Sequence, residues 1–149
     1  MIEFLVTAFI LAVGILGLTM LQVMSMRAST GSKALNTGVM VGEGIVEAIQ
    51  SEGRQRMLFL KFGGTAPVTT YFGADPITQY YAFDGTLLPS ATNAFFSVAI
   101  TSADVVALGL AGGTKRFTLV VTFKDTPNPA NPTAMIVKTV TLTRQVAYA

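Results

Sequence analysis

The sequence predicts an α+β fold, in which a long N-terminal α-helix packs against an antiparallel β-sheet domain. Two changes of pattern along the chain predict it. Residues 4–26 contain no charged side chain, and the apolar spacing that follows them is helical. From Met57 onward apolar side chains recur at every second position, which is the period of a strand. Packing the helix on the sheet buries the apolar faces of both.

The charge-free run lies between Glu3 and Arg27. About 20 apolar residues suffice for a helix to cross a hydrocarbon core of roughly 30 Å. A secretory signal peptide is the first alternative, but its apolar core is about 7 to 15 residues long and follows a basic start. No basic residue precedes this run. We therefore assign residues 1–26 to a helical segment suited to lipid or to partner helices.

Residues 27–52 are predicted to form the amphipathic second half of the same helix. Their apolar positions recur at spacings of four, three, four and three, which marks one helical face. Gly53 is a plausible stop, because glycine is common just past helix ends. Residues 53–149 are then an antiparallel β domain. The positions that define the helical face are Leu35, Val39, Gly42, Val46 and Ile49.

Six segments of the β domain are predicted to be strands, and one pair of residues predicts a hairpin. Asp84-Gly85, between YYAF and TLL, favours a type I′ turn. The proline-rich residues 125–133 are predicted to be an exposed loop, because proline cannot donate to a ladder. The predicted strands are residues 57–62, 69–72, 79–83, 95–101, 117–123 and 134–146.

The composition argues against an enzyme. The chain has no cysteine and no histidine, which excludes thiol nucleophiles, imidazole bases and the usual zinc sites. Glu43 and Glu47 share a helix face, where a solvated surface is the simpler interpretation. Net charge is only +2, and basic residues are not interleaved with the aromatic ones, so nucleic acid binding is possible but not supported. We expect no catalytic residue, no cofactor and no metal.

Glu3 and two glycines of the apolar run each allow two interpretations. An acidic side chain at the tip of an apolar helix is costly in lipid unless a cation meets it, although the helix dipole would also favour it in the headgroups. Gly14 and Gly17 each cost about 1 kcal/mol of helix propensity relative to alanine. They serve either close packing of helices through small residues or local stretching of the helix.

The N-terminal residues MIEFLVTAFILAVGILGLTMLQ, followed by SMRAST, resemble the first helix of type IV pilins, and PilV-type minor pilins in particular. The C-terminal region, with RFTLVVTF, resembles the family only in style. Glu3 matches the helix-tip glutamate of the family, which implies pairing with the free N-terminal amine of a neighbouring subunit. Gly14 and Gly17 match positions where the helix can stretch. The residues that the resemblance assigns to a filament core are Phe4, Leu5, Phe9, Ile10, Val13, Leu16 and Leu21.

The resemblance implies a structural subunit of a type IV pilus, or fimbrium, held in the bacterial inner membrane before assembly and exposed on the cell surface in an extracellular filament afterwards. Its partners would be other pilin subunits and the pilus assembly machinery. It also implies that a leader, a cleavage glycine and two mature residues precede Met1, and that the mature amine is methylated. Arg27 and Lys33 follow the apolar run, and the positive-inside rule would otherwise place the β region in the cytoplasm. Two alternatives stay open, a type II secretion pseudopilin and a bitopic membrane-anchored β binding module.

Overall fold

The computed structural model describes residues 2–63, 70–73, 75–105, 113–128 and 131–148. A long helix and an antiparallel sheet confirm the predicted α+β class. The chain divides into two compact units, Met1–Lys33 and Ala34–Ala149, and each is described by itself. The elements are α1 (Ile2–Lys61), α2 (Thr70–Gly73), β1 (Ile77–Tyr81), β2 (Leu87–Leu88), β3 (Phe96–Val105), β4 (Thr114–Asn128) and β5 (Asn131–Ala147).

The five described strands form one antiparallel sheet in the order β2-β1-β3-β4-β5. In β3 and β4, Phe96 lies opposite Phe123 and Ile100 lies opposite Leu119. The alternation of apolar and small polar residues therefore places one apolar row on each strand toward the same face. The strands predicted at 79–83, 95–101, 117–123 and 134–146 are confirmed, with shifted ends.

The hydrophobic core lies inside the Ala34–Ala149 unit, between this face of the sheet and the part of α1 that begins at Ala34. A Cβ on Gly38 would lie 3.2 Å from Phe96 Cε1, and one on Gly42 would lie 2.5 Å from Leu142 Cδ1. Helix and sheet approach this closely because glycine occupies both positions. The buried apolar residues are Ala34, Val41, Ile45 and Ile49 of the helix and Phe96, Val98, Ile100, Phe117, Leu119, Val121, Phe123 and Val146 of the sheet.

The helix is amphipathic as predicted, but its buried face is rotated by about one residue from the predicted face. Leu35 is 44% exposed, whereas its neighbour Ala34 is buried. The smallest side chains of the helix, at Ala34, Gly38 and Gly42, face the sheet because they let the helix come close to the large aromatic residues. Bulkier Leu35 is left at the surface.

The predicted end of the helix at Gly53 and the predicted strand at 57–62 are both wrong, because α1 continues to Lys61. Gly53 is a buried packing position within it. The helix ends at the close of its last apolar run, and just beyond it Gly63 has a φ of 74° and donates its N–H to the carbonyl of Leu60. The run RQRMLFLKF lacks true alternation, and its Arg, Met, Leu and Lys are good helix formers.

Two further predictions need correction. Residues 70–72, predicted as a strand, lie in the short helix α2, whose Thr70 and Tyr71 N–H groups donate to the Glu52 carboxylate; residue 69 lies outside the described residues. Of the predicted loop at 125–133, residues 125–128 and 131–133 belong to β4 and β5, and residues 129 and 130 lie outside the described residues. Proline is tolerated there because this part of β4 extends past its pairing with β3, and the ladder with β5 shifts register after Lys124.

The hairpin at Asp84-Gly85 is confirmed, but the turn is not type I′. Only Gly85 has a positive φ, of 86°, whereas type I′ needs two such residues in succession. The Gly85 N–H donates to the carbonyl of Ala82, and the Ala82 N–H donates to that of Thr86. The geometry is a tight turn closed by a left-handed glycine, which joins β1 to β2.

Candidate assembly site

The apolar N-terminal segment of α1, residues 2–26, is uncovered along its whole length. Each of its large apolar side chains is about half exposed or more, from 49% at Val23 to 78% at Ile2. A large apolar side chain left in water forgoes about 1.5 to 3 kcal/mol of burial free energy. The predicted filament-core residues all lie here, with exposed fractions of 77% for Phe4, 68% for Leu5, 71% for Phe9, 64% for Ile10, 54% for Val13, 69% for Leu16 and 66% for Leu21.

These residues surround the helix axis. At 100° per residue, Phe4, Leu5, Ile10 and Val13 point in widely different directions. A helix that is apolar on every side is suited to a membrane or to the interior of a bundle. Covering one face would therefore leave the other faces in water, and the segment needs lipid or several partner helices around it.

The two threonine hydroxyls within the segment are satisfied by the helix itself. Thr7 Oγ1 donates to the carbonyl of Glu3 at 2.6 Å, and Thr19 Oγ1 donates to that of Ile15 at 2.7 Å. Such back-bonding removes the need for water at a threonine hydroxyl. Both threonines are thus compatible with an apolar surrounding, which the sequence alone does not decide.

Gly14 and Gly17 have no packing role within the described chain. A Cβ at either position would meet nothing within 4 Å. An alanine would fit at both and would favour the helix by about 1 kcal/mol each. Close approach of another molecule or a change in the helix itself would explain these glycines, as the sequence predicts.

Glu3 is the one charged residue of the segment and lies in the first turn of α1. No ion pair of Glu3 with a cation occurs within the part of the chain that the structure describes. Its position favours the carboxylate through the helix dipole in water. Transfer to an apolar surrounding calls for a cation from elsewhere.

A groove of about 490 Å³, which the sequence did not predict, runs along α1 beside Met40, Gly44, Tyr71 and Tyr81. The Tyr81 hydroxyl donates to Gln79 Oε1 at 2.8 Å, and Gln79 Nε2 donates to the Tyr71 hydroxyl at 3.2 Å. Burial, followed by the proximity of Tyr71, raises the pKa of Tyr81 to about 12. The two phenols and Gln79 therefore form a hydrogen-bonded side of the groove.

The carboxylate at the rim of the groove is held by the hairpin turn. Asp84 accepts hydrogen bonds from the N–H of Thr86 at 3.0 Å and from its hydroxyl at 2.8 Å. These bonds, the backbone one first, lower the pKa of Asp84. Asp84 thus shapes the hairpin turn at the rim of the groove.

A second aromatic cluster joins α1 to the end of β5. The Arg56 guanidinium lies 5.9 Å from the Phe72 ring and 5.7 Å from the Tyr148 ring, and Lys115 lies 5.8 Å from the latter. The Tyr148 hydroxyl donates to Asp104 at 3.3 Å, and burial together with this carboxylate raises the pKa of Tyr148. Cation–π contacts of this kind stabilise the end of the sheet.

By length and composition, α1 is the one helix in the described part of the chain that could span a membrane. The core helix of a soluble protein, which is mostly buried, and a signal sequence near the N-terminus pass the same test; this window lies near the N-terminus and none of it is buried. A group of three or more metal-ligating side chains is absent from the described residues. Comparison with known proteins finds no matching family model, curated protein or solved structure.

The structure thus places every sequence-predicted site residue on one exposed helical segment. It also reveals two surfaces that sequence reasoning missed, the groove beside Tyr71 and Tyr81 and an apolar helix end at residues 57–62. The missing alternation in RQRMLFLKF could have indicated the second. The groove combines residues far apart in sequence, so no local pattern could have indicated it.

Proposed function

We propose that this chain is a structural subunit of a type IV pilus or a related filament. The observation that carries the proposal is the helical segment 2–26, which is apolar on every side, uncovered, and charged only at Glu3. Its resemblance to the first helix of type IV pilins supplies the kind of assembly. The antiparallel sheet domain would form the outer surface of the fibre.

In this mechanism the subunit waits in the inner membrane, where lipid covers the apolar segment. Assembly exchanges lipid contact for helix contact, so the apolar side chains stay out of water throughout. Glu3 enters the filament core when the amine of a neighbouring subunit neutralises it. Gly14 and Gly17 allow neighbouring helices to approach closely or the helix to stretch.

The first test is Glu3→Ala in the native cells, with a tagged subunit counted separately in membranes and in sheared surface fibres. We expect incorporation to fall about tenfold or more while the membrane level stays unchanged, because a cation left unpaired in an apolar core is costly. Glu47→Ala is the matched control, since Glu47 is an exposed glutamate of the same helix. Equal incorporation of the two variants would contradict the mechanism.

Mass spectrometry of the N-terminal peptide from native cells tests the processing. A mature end two residues before Met1, with a methylated amine, would support the pilin assignment. A subunit starting unmodified at Met1 would instead favour a membrane-anchored module and would withdraw the assembly role of Glu3.

Two genetic experiments separate the alternatives. Deletion should abolish surface fibres and leave type II secretion intact, whereas a pseudopilin would show the reverse. Replacing residues 2–26 by an unrelated transmembrane segment should abolish function. Retained function in that chimera would identify a binding module whose helix is only an anchor.

A further inference from the structure

The groove beside Tyr81 runs along one flank of α1, inside the second compact unit. Its helical side presents Met40, whose side chain is 71% exposed, and the small residues Gly44 and Ala48, which lie about one turn apart. The hairpin turn that contains Asp84 lies at its rim. The groove therefore combines an apolar helical side with a carboxylate at its edge.

Gly44 has no packing role within the described chain. A Cβ at this position would meet nothing within 4 Å, and alanine is the better helix former. Small residues on a helix let the backbone of a second helix approach closely. The pair Gly44 and Ala48 therefore suits the close approach of a helix from another molecule.

We propose that this groove receives the C-terminal end of the apolar segment of a second copy, at residues 20–27. This inference rests on the proposed filament function and names one contact within it. Met20, Val23 and Met24 lie on one face of the helix, because three and four residues apart are neighbours on its surface. They are 67%, 49% and 61% exposed, and methionine adapts well to an irregular groove.

Charge selects this end of the segment. Arg27 lies on the same face as Met20 and Met24, and its charge is opposite to that of Asp84. Neither Arg27 nor Asp84 forms an ion pair within the described ranges. A carboxylate has about four acceptor sites, so the two hydrogen bonds from Thr86 leave room for a cation. Docking the other end of the segment would instead bring Glu3 towards Asp84, at a cost.

The contact leaves Glu3 available for the pairing proposed above. Residue 24 lies about 30 Å along the helix from Glu3, at about 1.5 Å per residue. Glu3 therefore meets the amine of one neighbour among the packed helices, while residues 20–27 lie in the groove of another. The groove contact joins two different surfaces of the same chain, and heterologous contacts that do not close into a ring generate open helical assemblies.

Cysteine cross-linking tests the contact directly, because the chain has no cysteine of its own. Cells lacking the wild-type copy would express two differently tagged subunits, one with Met24→Cys and one with Met40→Cys. We expect a disulfide-linked pair of the two tags in oxidised surface fibres. Leu35→Cys replaces Met40→Cys in the control and should give no such pair, since Leu35 is 44% exposed but lies about 140° round α1 from Met40.

A double-mutant cycle tests the charge pair. Arg27→Gln and Asp84→Asn should each lower incorporation about two- to fivefold, as expected for an ion pair at the rim of an interface. The asparagine amide keeps an oxygen that can accept from Thr86, so the turn is retained. The double variant should lose no more than either single one. Losses that multiply would contradict contact between Arg27 and Asp84.

Filling the groove provides the third measurement. Gly44→Leu should lower incorporation about fivefold or more, because the added side chain occupies the place of the second helix. The fold should be unchanged, since a Cβ at Gly44 has open space. Asn36→Leu is the matched control, because Asn36 is exposed on the same helix outside the groove. Equal incorporation of the two variants would leave the groove to a small molecule and would overturn the inference.

The cross-link also separates this contact from the function on which it rests. Fibres that form normally but give a Met24–Met40 pair no stronger than the Met24–Leu35 control would overturn the inference and leave the proposed function standing. Absence of any fibre from the unmodified subunit would instead contradict the proposed function itself.

Discussion

The two parts of α1 use glycine for opposite purposes. In the first unit, a Cβ at Gly14 or Gly17 would meet no atom within 4 Å. In the second unit, a Cβ at Gly53 would lie 2.5 Å from Val146 Cγ1 and 3.1 Å from the carbonyl oxygen of Ala147. One part of the helix thus packs closely against its own sheet, whereas the two glycines of the other part have open space around them. The apolar surface of the first part is therefore available to other molecules.

The largest effect that separates the two parts should come from a matched pair of phenylalanines. Phe96 is fully buried in the core, whereas Phe9 is 71% exposed. Phe96→Ala should lower the free energy of unfolding by about 3 to 5 kcal/mol, because it opens a cavity. Phe9→Ala should leave that free energy within about 0.5 kcal/mol of the original. Denaturation of the full chain in detergent, followed by tyrosine fluorescence, measures both.

Tyrosine is the right probe because the chain has no tryptophan and all four tyrosines lie in the second unit. In fibres we expect the exposed Phe9 to matter for the contact between subunits, because it lies on the apolar segment that is proposed to pack in the filament core. Phe9→Ala should weaken incorporation of a correctly folded subunit. If Phe9→Ala lowered the stability of the second unit as much as Phe96→Ala does, the proposal that the two parts of α1 have separate roles would be wrong.

A smaller effect should come from alanine at two helical glycines of the second unit. Gly53→Ala should cost about 1 to 3 kcal/mol, since the added methyl group meets a β-branched side chain and a backbone oxygen that cannot move aside. Gly44→Ala should gain up to about 1 kcal/mol from helix propensity, because a Cβ there meets nothing within 4 Å.

Thermal unfolding of the two variants in the same detergent checks the sign of each change. Gly17→Ala extends the test to the first unit, where helicity should rise and the unfolding of the sheet should not change. If Gly44→Ala were destabilising, open space around a helical glycine would not predict the effect of an alanine substitution on the stability of this chain.

These contrasts also explain how much could be predicted from the sequence. The helix was predictable because residues 4–26 carry no charge and the following positions keep a helical period. β4 was predictable because Phe117, Leu119, Val121 and Phe123 alternate with other residues along it. Both signals extend over enough residues to exclude other periods.

The errors came where the signal was short or where tertiary packing decided the outcome. The run at 57–62 fits a strand or a helix by composition, and its continuity with α1 decides for helix. The buried face of α1 shifted from Leu35 to Ala34 because the large aromatic residues of the sheet favour small partners. The groove beside Tyr81 combines residues far apart in sequence, and no local pattern contains that information.

The smallest predicted effect concerns pH, and it reports on the second unit. Burial raises the pKa of Tyr81 to about 12, whereas an unfolded tyrosine ionises near pH 10. Between about pH 10 and pH 12 the unfolded chain therefore loses a proton that the folded chain keeps, so stability falls as the pH rises through this window. Tyr81→Phe should remove the contribution of this phenol to the loss of stability at alkaline pH.

Denaturation midpoints of the full chain in detergent at pH 8 and pH 11 measure the effect. Tyr81→Phe should show a smaller drop between the two pH values than the original chain, together with a slight loss at pH 8 from the missing hydrogen bond to Gln79. Tyr80→Phe is the matched control, because Tyr80 is the neighbouring tyrosine on the other face of β1, and it should keep the full drop. If the two variants behaved alike, the half-buried chain of Tyr71, Gln79 and Tyr81 would not contribute to the loss of stability at alkaline pH.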